Sequence, residues 1–537
     1  MIFARKVWKL LVAIKDGLAL IFLLLFFLML YAALSARPGG AGTVRDGALL
    51  LRLDGAIVEE PATQDPLRQL VSGAAPVSEY AARDVVRALR LAATDKRVKA
   101  VVLDLSRFSG AGFVHLQDIG AAMDAVRAAK KPVLTYAVAY ADDGVLLAAH
   151  ASEAWVNPFG GAFVLGPGGN RLFYARLLDK LKVTAHVFRV GTYKSAIEPF
   201  TRDSMSPEAR ENAESLYGAL WAEWRQDVAK ARPKANLALV TGDPVGWVKG
   251  AGGDLAKASQ AAGLVDRIGD EVDFGKRVAE LAGKSTLDTA PGSFAHTPLK
   301  TFLAAHKPDA GGKAIGVVTI AGEIVDGDAG PGTAGGERIA GLLDDALDDD
   351  LAALVVRVDS PGGSILASEQ IRAAIARHKA KGTPVVISMA NLAASGGYWV
   401  STPGSRIFAE PGTITGSIGV FAMIPSFERA LTDIGVTADG AKTTPLSGQP
   451  DLLGGLSPEV SAMLQANVES SYAHFLDLVG KARGKSAGDV DRIAQGRVWD
   501  GGAARQLGLV DQFGSLDDAV AYAARAARLK DGGWHRV

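Results

Sequence analysis

The sequence predicts an α/β protein in which two copies of one α/β/α domain follow a single transmembrane helix near the N-terminus. Three observations predict this architecture. A long uncharged apolar run lies near the N-terminus, the later motifs recur at a nearly constant spacing, and short apolar strands alternate with helical stretches. A chain of 537 residues is also too long for one hydrophobic core, so two domains are expected.

Residues 17–36 carry no charge, and the run from Leu20 to Leu30 contains only leucine, isoleucine, phenylalanine and methionine. Twenty helical residues span about 30 Å, the thickness of a bilayer core. The basic residues Arg5, Lys6, Lys9 and Lys15 precede this run, so residues 1–16 are expected in the cytoplasm and the rest of the chain across the membrane. A cleaved signal peptide is the alternative, but the apolar run is long and its cleavage site is poor, which favours an uncleaved anchor.

The remaining chain repeats its motifs in order. The first repeat is predicted to cover residues 46–283 and the second residues 313–529, with residues 284–312 as a linker. The offset is close to 253 residues, since Val98–Leu105 corresponds to Leu351–Val358. Each copy alternates apolar strands with helical stretches, which predicts a parallel sheet between layers of helices.

The composition excludes several classes of function. Lysine plus arginine and aspartate plus glutamate both number 58, so no excess charge indicates a nucleic-acid partner. The absence of cysteine excludes disulfides, thiolate metal sites and cysteine nucleophiles. Neither a Walker A motif nor His-Glu-x-x-His occurs, and we expect no cofactor and no metal ion.

The strongest candidate nucleophile is Ser395. Residues 384–389 have the apolar, β-branched pattern of a buried parallel strand, and Gly396 and Gly397 allow a sharp turn into a helix. Free N–H groups and the positive end of the helix dipole at such a position can stabilise negative charge on a bound carbonyl oxygen. The alternative is that Ser395 only caps the helix.

The two repeats differ at the positions that matter for this chemistry. At an offset of 253, Asp142 of the first repeat corresponds to Ser395, whereas Lys194 of the first repeat corresponds to Ser447 of the second. None of the eight histidines lies near Ser395 in the sequence. A buried lysine can replace histidine as the base because desolvation lowers the pKa of its amine. The sequence therefore predicts a Ser–Lys pair, with a solvated loop lysine as the alternative for Lys194.

A glycine-rich turn is the candidate for an oxyanion hole. The segment Val358-Asp-Ser-Pro-Gly-Gly-Ser364 ends a strand and begins a helix, where glycines expose backbone N–H groups at the carboxyl edge of the sheet. The first repeat has Phe108-Ser109-Gly110 instead, with one glycine fewer. A turn without a catalytic role is the alternative.

Together these motifs resemble the signal peptide peptidase A (protease IV) family of Ser–Lys peptidases, in its long, duplicated, membrane-anchored bacterial form. The resemblance covers nearly the whole chain from the anchor onward. Its most specific segments are Phe188–Phe200, Asp359–Ser364, Ala393–Trp399 and Ile414–Gly419.

The resemblance implies a ClpP/crotonase-like fold for each repeat and a serine endopeptidase with a Ser–Lys dyad. By this likeness Ser395 is the nucleophile, Lys194 is the general base, and Ser417 hydrogen-bonds the lysine amine. The family's oxyanion hole falls on the turn Gly362-Gly363 and the N–H of Gly396, and the resemblance leaves open which glycine of the turn donates.

The resemblance also implies the partners and the location. The substrates would be signal-peptide remnants and other hydrophobic peptides, cut on the periplasmic side of a bacterial inner membrane. The resemblance to long members of the family further implies a homotetramer, in which the lysine of one subunit meets the serine of its neighbour. Two alternatives stay open, a non-catalytic membrane scaffold and an enoyl-CoA hydratase-like enzyme on the same fold.

Overall fold

The computed structural model describes residues 2–35, 43–63, 78–307 and 311–537. A long helix, Ile2–Ser35, stands at the N-terminus. Its segment Arg5–Tyr31 is long and apolar enough to cross a membrane, and it is the one such helix in the described part of the chain. Its apolar side chains contact no protein core, which is compatible with lipid surroundings. The predicted apolar helix is therefore present.

The strands of the first repeat lie between residues 47 and 298. They are β1 (Gly47–Arg52), β2 (Gly55–Val58), β3 (Ser78–Ala81), β4 (Val98–Asp104), β5 (Gly110–Ala111), β6 (Val133–Tyr140), β7 (Glu153–Ala162), β8 (Thr184–Val190), β9 (Arg267–Ile268) and β10 (His296–Pro298). The helices of this part are Ala82–Thr94, Phe113–Ala128, Asp142–Ala149, Ala175–Lys180, Glu198–Thr201, Pro207–Ala231, Leu237–Gly242, Pro244–Gly250, Leu255–Ala261, Glu271–Ala282 and Leu299–Ala305.

The strands of the second repeat lie between residues 313 and 536. They are β11 (Lys313–Ala321), β12 (Ile324–Val325), β13 (Ala334–Gly335), β14 (Leu351–Ser360), β15 (Val385–Ala394), β16 (Arg406–Ala409), β17 (Ile414–Gly416), β18 (Val420–Ser426), β19 (Val498–Asp500), β20 (Gln512–Phe513) and β21 (Trp534–Arg536). The helices here are Gly336–Asp345, Ile365–Ala380, Gly396–Ser401, Glu428–Asp433, Pro458–Arg483, Ala487–Ile493, Gly501–Gln506 and Leu516–Ala526.

Each repeat is built on one mainly parallel sheet. The first sheet has the strand order β10-β1-β4-β6-β7-β9, and all its pairs are parallel. The second has the order β19-β17-β15-β14-β11-β21, with β16 beside β15, and its pairs are parallel except β17 with β19. The order β1-β4-β6 matches β11-β14-β15, so the predicted duplicated α/β architecture is confirmed.

Helices cover both faces of each sheet. In β1, Leu49 and Leu51 pack in the core that contains residues of the helices Ala82–Thr94 and Phe113–Ala128, whereas Leu50 packs against the helix Glu271–Ala282. β14 behaves in the same way, with alternate residues in two separate cores. Strands buried on both faces must be apolar at nearly every position, which explains the continuous hydrophobic runs in the sequence.

The residues expected to form a linker contribute to the first sheet. β10 pairs in parallel with β1, and the helix Leu299–Ala305 buries Phe302 in the adjacent core. The tail after Leu529 similarly contributes β21, which pairs with β11 at the edge of the second sheet.

A separate two-stranded sheet joins the repeats. β8 pairs antiparallel with β18, from Thr184 opposite Ser426 to Val190 opposite Val420. β8 leads directly into the turn that carries Lys194, so this ladder sets the position of the lysine relative to the second repeat.

Candidate active site

Ser395 lies between the end of β15 and the helix Gly396–Ser401. Its φ of 54° and ψ of −117° belong to a region that residues other than glycine rarely adopt. Its N–H donates to the carbonyl of Gly416 at 2.9 Å, and its own carbonyl accepts from Tyr398 and Trp399. The Ser395 side chain makes no capping hydrogen bond, so the alternative that it only caps the helix is wrong. A strained turn from strand to helix is a known way to present a nucleophilic hydroxyl.

The turn Gly362-Gly363 packs directly against this serine. A Cβ on Gly362 would lie 2.4 Å from the backbone nitrogen of Gly396 and 2.8 Å from the Cβ of Ser395. A Cβ on Gly396 would in turn lie 3.1 Å from the backbone nitrogen of Gly363. Only glycine allows the turn and the nucleophile to approach this closely.

The two glycines of the turn differ in whether their N–H groups have a hydrogen-bond acceptor. The N–H of Gly362 donates to the hydroxyl of Ser360 at 3.1 Å. The N–H groups of Gly363 and Gly396 donate to no acceptor in the described part of the chain. Two neighbouring N–H groups without an internal acceptor are therefore available beside Ser395.

Lys194 reaches Ser395 from the first repeat. Its Nζ lies 3.1 Å from the Ser395 Oγ, and it also donates to the carbonyl oxygen of Ser417 at 2.9 Å and the Ser417 Oγ at 3.0 Å. The lysine side chain is 5% exposed, so it is not a solvated loop lysine. Burial lowers the pKa of the Lys194 amine from 10.5 to about 8. The uncharged amine therefore becomes the major form above about pH 8 rather than above pH 10.5.

The two members of the pair belong to one chain. The expectation that the lysine of one subunit meets the serine of its neighbour is therefore wrong. The physical reason is the β8–β18 ladder, which ties the first repeat to the second within the same chain and delivers Lys194 to Ser395. All six residues predicted for the site lie together, namely Lys194, Gly362, Gly363, Ser395, Gly396 and Ser417.

Two further glycines leave room for the Lys194 side chain, and the sequence did not identify them as site residues. A Cβ on Gly496 would lie 2.7 Å from the Cβ of Lys194, and a Cβ on Gly419 would lie 3.2 Å from the Lys194 Cδ. The loop around Gly496 also accepts the N–H of Tyr193 at the carbonyl of Gln495. Gly419 ends the motif Ile414–Gly419, but nothing in that motif indicated a contact with Lys194. Gly496 lies between two polar residues, a pattern too common to identify such a contact.

A small cavity of about 50 Å³ opens beside Ser395. Most of its walls are apolar or glycine, and they include Gly363, Ile365, Trp399, Val420, Phe421 and Phe475. Its volume is far below that of sites for drug-sized ligands, so it suits one small apolar group.

The equivalent place in the first repeat is occupied by its own carboxylates. Asp142, which corresponds to Ser395, accepts the N–H of Leu165 at 2.8 Å. Asp143 accepts the N–H of Ala111 at 3.1 Å, and burial raises the pKa of this carboxyl. The first repeat thus contains no serine nucleophile at this place and uses the local N–H groups internally.

The chain is similar to known peptidases over most of its length. The model of peptidase family S49 matches residues 125–285 and 377–530. The chain is 40% identical to Protease 4 of Salmonella typhi over 99% of this chain and 87% of that protein. It is 38% identical to Protease 4 of Haemophilus influenzae over 96% of this chain and 85% of that protein. A ClpP1 mutant from Listeria monocytogenes matches with a TM-score of 0.25 and 15% identity, over 38% of this chain and 94% of that one.

A duplicated α/β fold with a serine and a buried lysine in contact, together with these matches, defines a serine protease. The chain belongs to peptidase family S49. This membership favours the peptidase over both alternatives, the non-catalytic scaffold and the hydratase-like enzyme.

Proposed function

We propose that the protein is a membrane-anchored serine endopeptidase in which Ser395 is the nucleophile and Lys194 is the general base. The observation that carries this proposal is the distance of 3.1 Å between the Lys194 Nζ and the Ser395 Oγ in a buried setting. A nucleophile within hydrogen-bond reach of an unprotonated base has the geometry that acyl transfer requires.

In the first half of the reaction, neutral Lys194 accepts the proton of the Ser395 hydroxyl while the oxygen attacks a peptide carbonyl. The negative charge that develops on the carbonyl oxygen is stabilised by the free N–H groups of Gly363 and Gly396. Lys194 then gives its proton to the departing amine, which leaves an ester on Ser395. In the second half, Lys194 accepts a proton from a water molecule while the water oxygen attacks the ester carbon. The bond to the Ser395 oxygen then breaks, Lys194 returns the proton to that oxygen, and the acid product leaves.

Ser417 is proposed to orient the amine. It offers both its hydroxyl and its backbone carbonyl to the Lys194 Nζ, at 3.0 and 2.9 Å. Burial alone lowers the pKa of Lys194, and no carboxylate acts in the opposite direction by raising it. Neutral acceptors can direct the amine without stabilising its ammonium form as a carboxylate would.

The proposed substrates are extended hydrophobic peptides, including signal-peptide remnants. β18 pairs with β8 only, in a two-stranded sheet, so its second edge has no partner strand in the described part of the chain. The start of β18, Val420 and Phe421, lines the cavity beside Ser395. A peptide that pairs with this edge would place a small side chain in the cavity.

The apolar segment Arg5–Tyr31 supports a single-pass anchor, and the basic residues Arg5, Lys6, Lys9 and Lys15, which precede its uncharged part, favour a cytoplasmic N-terminus. The two repeats would then act on the periplasmic side of a bacterial inner membrane. Assembly into a homotetramer is part of the proposal, although the pair Lys194–Ser395 is already complete within one chain.

The test uses the detergent-solubilised full chain with a fluorogenic hydrophobic peptide and a fluorophosphonate label. We expect cleavage of the peptide and labelling at Ser395, with both lost in Ser395→Ala. Cleavage that persists in Ser395→Ala, or a label that attaches elsewhere, would refute the assignment.

A further inference from the structure

A buried polar cluster lies where the two repeats meet, close to the candidate active site. We call it the inter-repeat cluster, and it consists of Glu59 and His115 from the first repeat and Arg357, Asp359 and Asn391 from the second. Glu59, His115 and Arg357 are at most 6% exposed. None of these residues takes part in the proposed proton transfers, so the cluster needs a separate explanation.

Two residues of the cluster contact the carboxylate of Glu59. Glu59 accepts from Arg357 at 3.0 Å and lies 2.9 Å from the Nε2 of His115. Burial alone would raise the pKa of Glu59, but Arg357 and His115 lower it to about 2. Ligand atoms of Glu59, His115 and Asp359 lie within 4.8 Å of one another, as in metal sites. The guanidinium of Arg357 already supplies the positive charge there, so we infer no metal site.

Asn391 connects the cluster to the first repeat. Its Oδ1 accepts the backbone N–H of His115 at 3.2 Å, near the start of the helix Phe113–Ala128. The N-cap residue of that helix, Gly112, provides no side-chain cap. A Cβ on Gly112 would lie 2.0 Å from the side chain of Asn391. The second repeat therefore caps a helix of the first, and Gly112 leaves room for it.

Asp359 connects Asn391 to the strand of the oxyanion turn. Its Oδ2 accepts from the Nδ2 of Asn391 at 3.0 Å, and its Oδ1 accepts the backbone N–H of Leu392 at 2.9 Å. These bonds lie where the β14–β15 register shifts, since Val358 faces Met389 but Ser360 faces Ala393. At this point the Asp359 carboxylate makes the hydrogen bonds to the extra residues of β15 that a regular backbone ladder would otherwise make.

Both residues lie a few positions before the reacting groups. Asp359 precedes Gly362 by three residues, and Asn391 precedes Ser395 by four. A shift at the bulge would therefore change the distance between the oxyanion turn and the nucleophile. The first repeat has Ser106 and Val138 at the corresponding positions, so the hydrogen-bonded pair belongs only to the repeat that contains the serine.

We propose that Asn391 and Asp359 are positioning residues for the peptidase reaction, an inference that rests on the proposed function. The bond between them sets the register of β14 and β15, and the bond from Asn391 to His115 aligns that register with the repeat that supplies Lys194. A single asparagine thus links the placement of the nucleophile, the oxyanion turn and the general base.

The test exchanges the two side chains. Asn391→Asp places a second carboxylate beside Asp359, and because misplacement of about 1 Å can cost about 100-fold in rate, we expect kcat to fall about 100-fold with KM little changed. Asp359→Asn replaces one of the two acceptor oxygens by a donor, so either the Asn391 amide or the Leu392 N–H loses its acceptor, and kcat should also fall. The double variant Asn391→Asp with Asp359→Asn restores one donor and one acceptor, so kcat should recover at least tenfold over Asn391→Asp.

The matched control is Arg338→Gln. Arg338 of the second repeat pairs with Glu60 of the first at 3.2 Å, so this variant removes a contact between the repeats that touches neither strand of the site. We expect it to keep wild-type kcat. The rate of fluorophosphonate labelling, measured on the folded fraction of each variant, should follow kcat.

The outcomes are distinguishable. Wild-type kcat in both single variants would overturn the positioning role while leaving the proposed peptidase intact. A double variant that folds but stays as slow as Asn391→Asp would also overturn it, as would an equal loss in Arg338→Gln. If Asn391→Asp does not fold, Asp359→Asn and the double variant decide in the same way. A wild-type chain that neither cleaves the peptide nor labels would overturn the proposed function itself.

Discussion

Gly496 and Lys194 come from different repeats, yet a Cβ at position 496 would lie 2.7 Å from the Cβ of the lysine. The lysine stem also passes beside Gly419, where a Cβ would lie 3.2 Å from its Cδ. The absence of two side chains is thus as important for the site as the presence of Lys194, because a buried amine can reach Ser395 only through a gap in the packing.

This contact predicts the effect of Gly496→Ala. The added methyl group overlaps Lys194, and the φ of 74° at Gly496 also disfavours alanine. We expect a loss of kcat of about 100-fold, since the amine moves away from the Ser395 hydroxyl. The measurement is steady-state peptide cleavage, with thermal unfolding to confirm the fold.

The control for that variant is Gly488→Ala in the nearby helix Ala487–Ile493. A Cβ at Gly488 would meet no atom closer than 4.0 Å, so activity should not change. Helix stability should rise slightly, since alanine is favoured over glycine by up to about 1 kcal/mol. Equal activity losses in both variants would show that the contact with Lys194 is not the cause.

The pKa of Lys194 predicts the pH dependence of the rate. The base must be unprotonated to accept the serine proton, and burial places its pKa at about 8. We expect kcat/KM to rise with pH through about pH 8 and to level off above it. Lys194→Arg should abolish activity at every pH because arginine does not lose its proton in this range. If a Lys194 variant kept activity and its kcat/KM fell at low pH as in the wild type, the titrating group would be another residue.

The same group predicts a pH-dependent difference in stability. In the unfolded chain the Lys194 amine has its ordinary pKa of 10.5, whereas in the folded chain the pKa is about 8. Between these values the unfolded state binds more protons, so this group makes the folded state more stable as pH rises from about 8 to 10.5. The stability of wild type relative to Lys194→Met should therefore increase across this window. Denaturant unfolding at several pH values measures it, and a flat difference would contradict the buried, uncharged amine.

The location of both side chains in one chain predicts the behaviour of mixed variants. A mixture of purified Ser395→Ala and Lys194→Ala should remain inactive, because every active pair needs both residues on the same molecule. Wild type mixed with Ser395→Ala serves as the control and should lose activity only by dilution. Recovery of activity in the mixture of inactive variants would show that subunits share sites.

Local patterns in the sequence were sufficient for the elements that depend on neighbours in the chain. The apolar N-terminal helix, the strand before Ser395 and the turn Gly362-Gly363 follow from hydrophobic runs and from the conformational freedom of glycine. The internal repeat also exposed the complementary loss of the serine and the lysine, since each copy served as a reference for the other.

Contacts between distant residues were decided only by the tertiary structure. Lys194 and Ser395 are 201 positions apart, and the β8–β18 ladder, not the pattern around either residue, brings them together in one chain. The same holds for the choice of Gly363 over Gly362 as a free donor, which depends on the hydroxyl of Ser360, and for the contact between Gly496 and Lys194. A sequence states which chemical groups are present, but packing and backbone pairing across the two repeats determine which of them meet and which are shielded from water.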